Sequence, residues 1–518
     1  EQFIKPVTRN AGMMSWALML HPRGLQCDLY ITHAWVEGVF EFINKALHSW
    51  PPSARNAYCC MLANPQNLDI SDLIRFPQES PFALALVSAR YLLVIPNQRV
   101  CVYMRLWCAY EAFLAYDNNM DIVVASAPCF DQILKAVGTV LLIEFSGAAA
   151  GLLRHLGPNG HMTDAESYVY WCALVGPFLM SVLLDSSSWR RLCHLVGAFL
   201  IAYCDVVADM ETLGNAVFQT PVWAARIGIF CGSGYYIAAE ADRVRRNRSG
   251  IEREQLTNGY TGSILDAQCS DLRDKAAISL QIGAKTGEVD KAIKVVVDAG
   301  IWTADLRRAS DAGVDVTDAG HVEFAALSAS STFAVVVASF VILVPDTCCL
   351  FVAIAILVLQ TCQLLLLACQ QRGSRAFGFK VLGKLSIPWI LMALLGHIYA
   401  LLDSGLDVRS TTVHRWQGWW CLSFHVLGIS LTLAGVGRVS QLPVFGRVLA
   451  QAIMARGIGC ACRACCCSLR TGSDPRDSCL GDQSSNGESE VMSSSDEALA
   501  SSSSEGLSPA ESVSRLPD

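Results

Sequence analysis

The chain has 518 residues, 53% of them hydrophobic and only 16% charged, and a mean hydropathy of +0.37. Soluble domains carry about a quarter charged residues, so this balance excludes an ordinary soluble protein and points to a lipid bilayer as partner. The formal net charge of −7 is concentrated at one end: residues 471–518 hold ten Asp/Glu and two Arg, and the rest is close to neutral. No basic stripe spans any domain, which argues against nucleic acid as a partner.

Such a length accommodates three or four modules. The chain begins at Glu1, and its natural start is expected upstream. Many of the 22 cysteines, such as Cys172, Cys193 and Cys204, lie in apolar runs, where Cys acts as a small hydrophobe. No paired framework is visible, so reduced thiols facing the cytosol are expected.

Residues 1–27 read as an N-terminal extension. Lys5 and Arg9 precede an apolar run at 11–20 that resembles a signal peptide, but His21-Pro-Arg follows in place of a small-residue cleavage site. Residues 28–130 alternate short apolar runs with helical patterns. Strands are expected at 29–34, 58–63, 91–96 and 122–126, and helices at 37–49, 71–76, 81–89 and 104–116. Phe40, Ile43, Ala46 and Leu47 give the first of these helices an apolar face. The alternation implies a parallel sheet with helices on both sides.

Long apolar segments follow. Four spans are expected within 131–240, at 133–153, 168–184, 192–208 and 217–239. Four more are expected within 326–437, at 326–345, 347–369, 385–402 and 418–437, each near the length of a crossing helix. With the N-terminal domain in the cytosol, eight crossings leave fourteen flanking Lys/Arg on the cytosolic side against three opposite, in keeping with the positive-inside rule. Both termini then face the cytosol, as does the segment 241–325, a helical connector. Against this orientation stands the sequon Asn247-Arg-Ser249, a triplet common by chance. Within the connector, Gly300 is placed to end one helix and Thr303 to cap the next.

Glu144 and Arg226 fall at matching depths of the first and fourth spans, and an intramembrane ion pair is expected because an unpaired charge there is costly. Gly147, Gly151, Gly228, Gly232 and Gly234 read as points of close helix contact. His194, His397 and His425 read as polar packing groups, and no metal site is expected. Residues 438–470 form a basic, Cys-rich juxtamembrane segment. Its adjacent Cys460, Cys462, Cys465, Cys466 and Cys467 suit S-palmitoylation better than tetrahedral metal binding. Residues 471–518, with fifteen Ser, form a disordered acidic tail.

Three stretches carry a resemblance to a known family. Asp28-Leu-Tyr-Ile-Thr-His-Ala-Trp35 reads as a buried strand opening into a polar loop. Ser80 to Ile95 reads as a helix followed by a strand. Arg105-Leu-Trp-Cys-Ala-Tyr-Glu111 reads as the start of a helix bearing a carboxylate one turn after Trp-Cys. Together they resemble the TIR (Toll/interleukin-receptor-like) domain over residues 28–126, about a fifth of the chain. The resemblance implies a flavodoxin-like α/β fold, self-association through that domain, and TIR-type or adaptor partners.

Some TIR domains cleave NAD, which is then substrate rather than a permanently bound cofactor. The essential carboxylate of those members corresponds to Glu111, and Thr32, His33 and Trp35 fall at the ligand-bearing sheet edge. A carboxylate can stabilise the oxocarbenium-like sugar left by nicotinamide departure. Two departures stand out: the Arg-Asp-x-x-Pro-Gly loop is absent, and only four of five strand–helix units are visible, so the edge of strand 122–126 needs a cover.

The expectation is therefore a multi-pass α-helical membrane protein with a cytosolic TIR-like domain, acting in signalling or assembly and potentially cleaving NAD. Two alternatives stay open: a transporter or channel regulated by its cytosolic domains, and a non-catalytic scaffold.

Overall fold

The computed structural model describes residues 4–36, 38–157, 176–181, 187–213, 220–269, 271–342, 347–402 and 411–455. The Cys460–Cys467 cluster, the acidic tail and most of the expected span 168–184 lie outside the described residues.

The N-terminal half is built on β1 (Leu29–Thr32), α1 (Val39–His48), β2 (Ala57–Cys59), α2 (Pro81–Ser88), β3 (Tyr91–Val94), α3 (Leu106–Asp117) and β4 (Asp121–Val124). All four expected strands form, shorter than expected. Residues 60–63, expected to prolong the second strand, turn into a short helix instead (Cys60–Ala63). Every residue of β1 and β3 is buried, as short apolar strands covered on both faces require. Ser80 starts α2: its hydroxyl accepts from the Ala83 N–H at 3.2 Å, and Pro81 follows at the first helical position.

The sheet does not stop at four strands. After α4 (Phe130–His155), α5 (Ser187–Leu213) and α6 (Thr220–Thr257), the chain returns through α7 (Leu272–Ile282) and α8 (Thr286–Ala299) to β5 (Ile301–Trp302). Gly300, with φ 70°, ends α8 in the left-handed conformation and turns the chain back on itself. β5 therefore pairs antiparallel with β4, Ile122 opposite Trp302 and Val123 opposite Ile301. The order is β2-β1-β3-β4-β5 with the first four parallel; flavodoxin-like sheets share this order.

The exposed edge noted in the sequence is thus covered by the segment expected to be only a helical connector. Trp302 is buried and lies 5.5 Å from the Tyr116 ring of α3. Thr303 then caps α9 (Ala304–Asp311), accepting from the Leu306 N–H at 3.3 Å.

One expectation about α1 is overturned. Its buried residues are Phe42, Lys45 and Ala46, while Phe40 is 87% exposed, Leu47 67% and Ile43 42%. The reason is Lys45, whose ammonium is buried between Glu41, the Pro96 carbonyl and the Gln255 side chain of α6. The two acceptors from outside the helix, the Pro96 carbonyl and Gln255, fix its rotation around the buried cation more strongly than its apolar residues do. The 1–27 extension also docks on this domain: the Asn67 amide donates to the Lys5 carbonyl at 2.9 Å and to the Thr8 hydroxyl at 2.8 Å.

The remaining helices are α10 (Phe324–Ile342), α11 (Thr347–Cys369), α12 (Arg372–Leu402), α13 (Thr411–Ser440) and α14 (Gly446–Met454). Among the described residues, three helices are long and apolar enough to cross a membrane: Phe130–His155, Thr347–Cys369 and Trp416–Ser440. Eight such spans were expected, so five lack this support. α4 and α5 pack closely at glycines, where a Cβ on Gly147 would lie 2.2 Å from the Phe199 carbonyl oxygen and one on Gly151 2.8 Å from that of Tyr203. The His425 ring lies 2.8 Å from the Gln360 side chain, and His194 lies 2.9 Å from Glu240, so both bridge neighbouring helices.

Candidate functional site

The box at 105–111 begins α3, which lies across the sheet with Cys108 and Glu111 turned inward. The Glu111 carboxyl is 6% exposed and accepts from the Tyr30 hydroxyl of β1 at 2.7 Å. Tyr30 is itself stacked on Tyr58 of β2, ring centroids 5.1 Å apart. Burial pushes the Glu111 carboxyl up to about 7, partly opposed by the Thr32 and Tyr30 hydroxyls and the Arg105 charge. Its second oxygen and the Thr32 hydroxyl have no hydrogen-bond partner of standard geometry.

His33 is buried at the end of β1, and burial pulls its pKa down to about 4. Its Nε2 lies 3.3 Å from the Cys60 thiol, and its carbonyl accepts from Arg105 at 3.3 Å. Burial pushes the Cys60 thiol up, and the Cys108 thiol up to about 12, so neither is an activated nucleophile. Trp107 is held by Asp274 of α7, its indole N–H 3.1 Å from the carboxylate.

Three of the four residues expected in one site, Glu111, Thr32 and His33, are therefore neighbours under α3. Trp35 stands apart, 56% exposed, its ring 6.1 Å from that of His33. Tyr30 is the partner that sequence reasoning missed. Its position two residues before Thr32, on the same strand face, was the available signal. Chemically this is a closed hydrogen-bonded cluster able to hold a proton near neutral pH.

A second place, not foreseen as a site, is an open cavity of about 510 Å³ where the carboxyl end of β4 meets the first turns of α4, α10 and α12. Arg245, Arg248, Arg253 and Arg372 line it, with Glu252 and Asp318 as the acids. None of Glu111, Thr32, His33 or Trp35 does. In the sequence these arginines read only as basic flanks of apolar segments.

The expected Glu144–Arg226 pair is not described, because the Arg226 side chain lies outside the described residues; Glu144 interacts with the Ser233 hydroxyl of α6. Among the described residues no group of three His, Cys, Asp or Glu is placed to hold a metal. No family model, curated protein or solved structure matches the chain.

Proposed function

We propose that this is a multi-pass membrane protein that signals or assembles through a cytosolic, TIR-like α/β domain. The observation that carries the assembly reading is an apolar stripe at the start of that domain: Trp35, Val36, Val39, Phe40, Ile43 and Leu47 are all at least 42% exposed. Positions 36, 39, 40, 43 and 47 follow helical spacing. A contiguous apolar surface of this kind marks an interaction site. A second copy is the occupant that fits, because the described acid beside the stripe, Glu41, is already paired with Lys45 and the rest of the described stripe is apolar.

The fold also supports the topology. β4 precedes α4 and β5 follows α6, yet they pair in one sheet. Both lie on one side of any bilayer, so the chain crosses an even number of times between them. After α13 the same holds: Gln451 of α14 accepts from the Asp315 N–H at 2.8 Å, returning the chain to that side. One crossing by α4 therefore entails a second. The positive-inside rule makes the shared side cytosolic, and reversible acylation of Cys460, Cys462, Cys465, Cys466 and Cys467 would tether the segment after α14 to the same leaflet.

Phe40→Glu combined with Leu47→Glu is expected to shift the detergent-purified protein towards monomer, read by light scattering. Its secondary structure by circular dichroism should be unchanged, because both side chains are exposed in the protomer. An unaltered oligomeric state would overturn assembly through this stripe.

A second reading, NAD cleavage with Glu111 as the carboxylate, has one observation in its favour. Glu111, Thr32 and Arg105 converge near the carboxyl end of β1, where open parallel sheets bind ligands. The carboxyl would have to leave Tyr30, ionise and meet solvent. Nicotinamide release by the full chain that is lost in Glu111→Gln supports it; no release by clustered protein overturns it.

A further inference from the structure

The arginine-lined cavity carries an inference beyond assembly. Three of its four arginines are already committed. Arg245 pairs with Asp242 at 3.0 Å, Arg248 with Glu252 at 3.2 Å, and Arg253 with Asp318. Arg372 has no ion pair or hydrogen bond among the described residues, although it lines the same cavity.

Its surroundings are unusual for a cation. Burial lowers the Arg372 pKa, opposed by Glu252, yet its surface remains exposed. Arg372 is exposed and lines the cavity, so it borders solvent-filled space. Arginine stays charged there, so a fixed cation faces the space without a protein anion of its own. Glu252, the nearest acid, is bound to Arg248 and to the Ala127 N–H at 2.9 Å, and burial pushes it up to about 7, which weakens its claim on Arg372.

The backbone reinforces the sign of the field. Phe130, Phe324 and Arg372 are the first residues of α4, α10 and α12, and all three line the cavity. Helix N-termini carry positive partial charge and free N–H groups. Ile133, Leu256 and Val297 supply an apolar wall, and the volume lies within the roughly 300–1,000 Å³ of small-ligand sites.

We propose that this cavity binds a phosphate-bearing anion whose remaining part is apolar, with Arg372 as its principal charged contact. The phosphate could belong to a soluble ligand or to a lipid headgroup, since the first turn of α4, a helix long and apolar enough to cross a bilayer, borders the site. Binding there does not require self-association of the α/β domain.

The test uses the full chain. Purified in detergent, it is titrated with inorganic pyrophosphate. Reconstituted in vesicles, it is compared in phosphatidylcholine alone and with a phosphoinositide added. Thermal stabilisation is the readout, because a ligand that binds only the folded state raises the melting temperature. Stabilisation by pyrophosphate identifies a soluble source, and stabilisation by the phosphoinositide alone identifies a headgroup.

In either case Arg372→Gln should weaken binding roughly tenfold, the loss of one charge-assisted contact. Arg372→Lys, which keeps the charge without the planar fork, should fall between. Arg273→Gln removes a charge that is 92% exposed and should leave binding unchanged. Stabilisation by neither probe, undiminished stabilisation of Arg372→Gln, or an equal loss in Arg273→Gln would overturn the site.

Discussion

Trp302→Ala should destabilise the α/β domain by about 3–5 kcal/mol, the range for removing a buried aromatic. Trp302 is 3% exposed, belongs to a strand of only two residues and packs on Tyr116. With the ring gone, β5 retains little to hold it against β4, and the antiparallel pair that joins the N-terminal strands to the returning chain opens. Hydrogen exchange at Leu92–Val94 and Ile122–Val124 should accelerate by roughly 10²–10³-fold. Trp419→Ala, at a ring 50% exposed on α13, should leave those amides unchanged. Protection that survives in Trp302→Ala would show that the sheet does not need its fifth strand.

The second large effect concerns proton uptake at Glu111. A carboxyl displaced from 4.5 to about 7 on folding keeps a proton that the unfolded chain releases. Stability therefore falls as pH rises from about 4.5 to 7 and levels off above, a loss of roughly 3 kcal/mol from this group. Glu111→Gln keeps an acceptor for the Tyr30 hydroxyl and removes the ionisation. The variant is expected to match the natural protein at pH 5 and to exceed it in stability at pH 8, in thermal or denaturant unfolding.

Other groups act in the same range. Glu252 and Asp242, each pushed up to about 7, add to the decline. His33 and His321, pulled down to about 4, contribute stability that rises with pH between about 4 and 6.5. The difference between the variant and the natural protein isolates Glu111. Identical pH profiles would mean that the carboxyl is ionised and solvated in the folded state.

What the sequence makes legible follows from which forces are local. The first four strands are visible because each is a short apolar run, and the α3 box is visible because Trp107, Cys108 and Glu111 fall within one helical turn and a half. β5 is not visible: Ile301–Trp302 lies between two helices and has no period of its own, and only pairing across 179 intervening positions, Ile122 to Trp302, makes it a strand. The α1 face misleads for a related reason. A hydrophobic pattern predicts burial of Phe40 and Leu47, but the acceptors that bury Lys45 come from Pro96 and Gln255, far along the chain.

The candidate sites divide in the same way. Glu111, Thr32 and His33 are readable as a group because strand order brings the end of β1 beneath α3, although their burial is not. The cavity is unreadable, since Arg248, Arg253 and Arg372 carry the same basic signal as any membrane flank. Only the return of α6 and α12 to the edge of β4 makes them one surface.

The central claim is that both halves of the sheet, and the helix after the last apolar segment, face one side of a bilayer. Cleavage sites for a specific protease, inserted singly at Gly24, Gly157, Gly262 and Val444 in the full chain, test it in sealed vesicles. Gly24 and Gly262 lie in turns with open space around them, Gly157 follows the end of α4, and Val444 is 86% exposed. The prediction is cleavage at 24, 262 and 444 from the same side, with 157, at the far end of α4, cut only from the other. Cleavage at 24 and 262 from opposite sides would contradict the account.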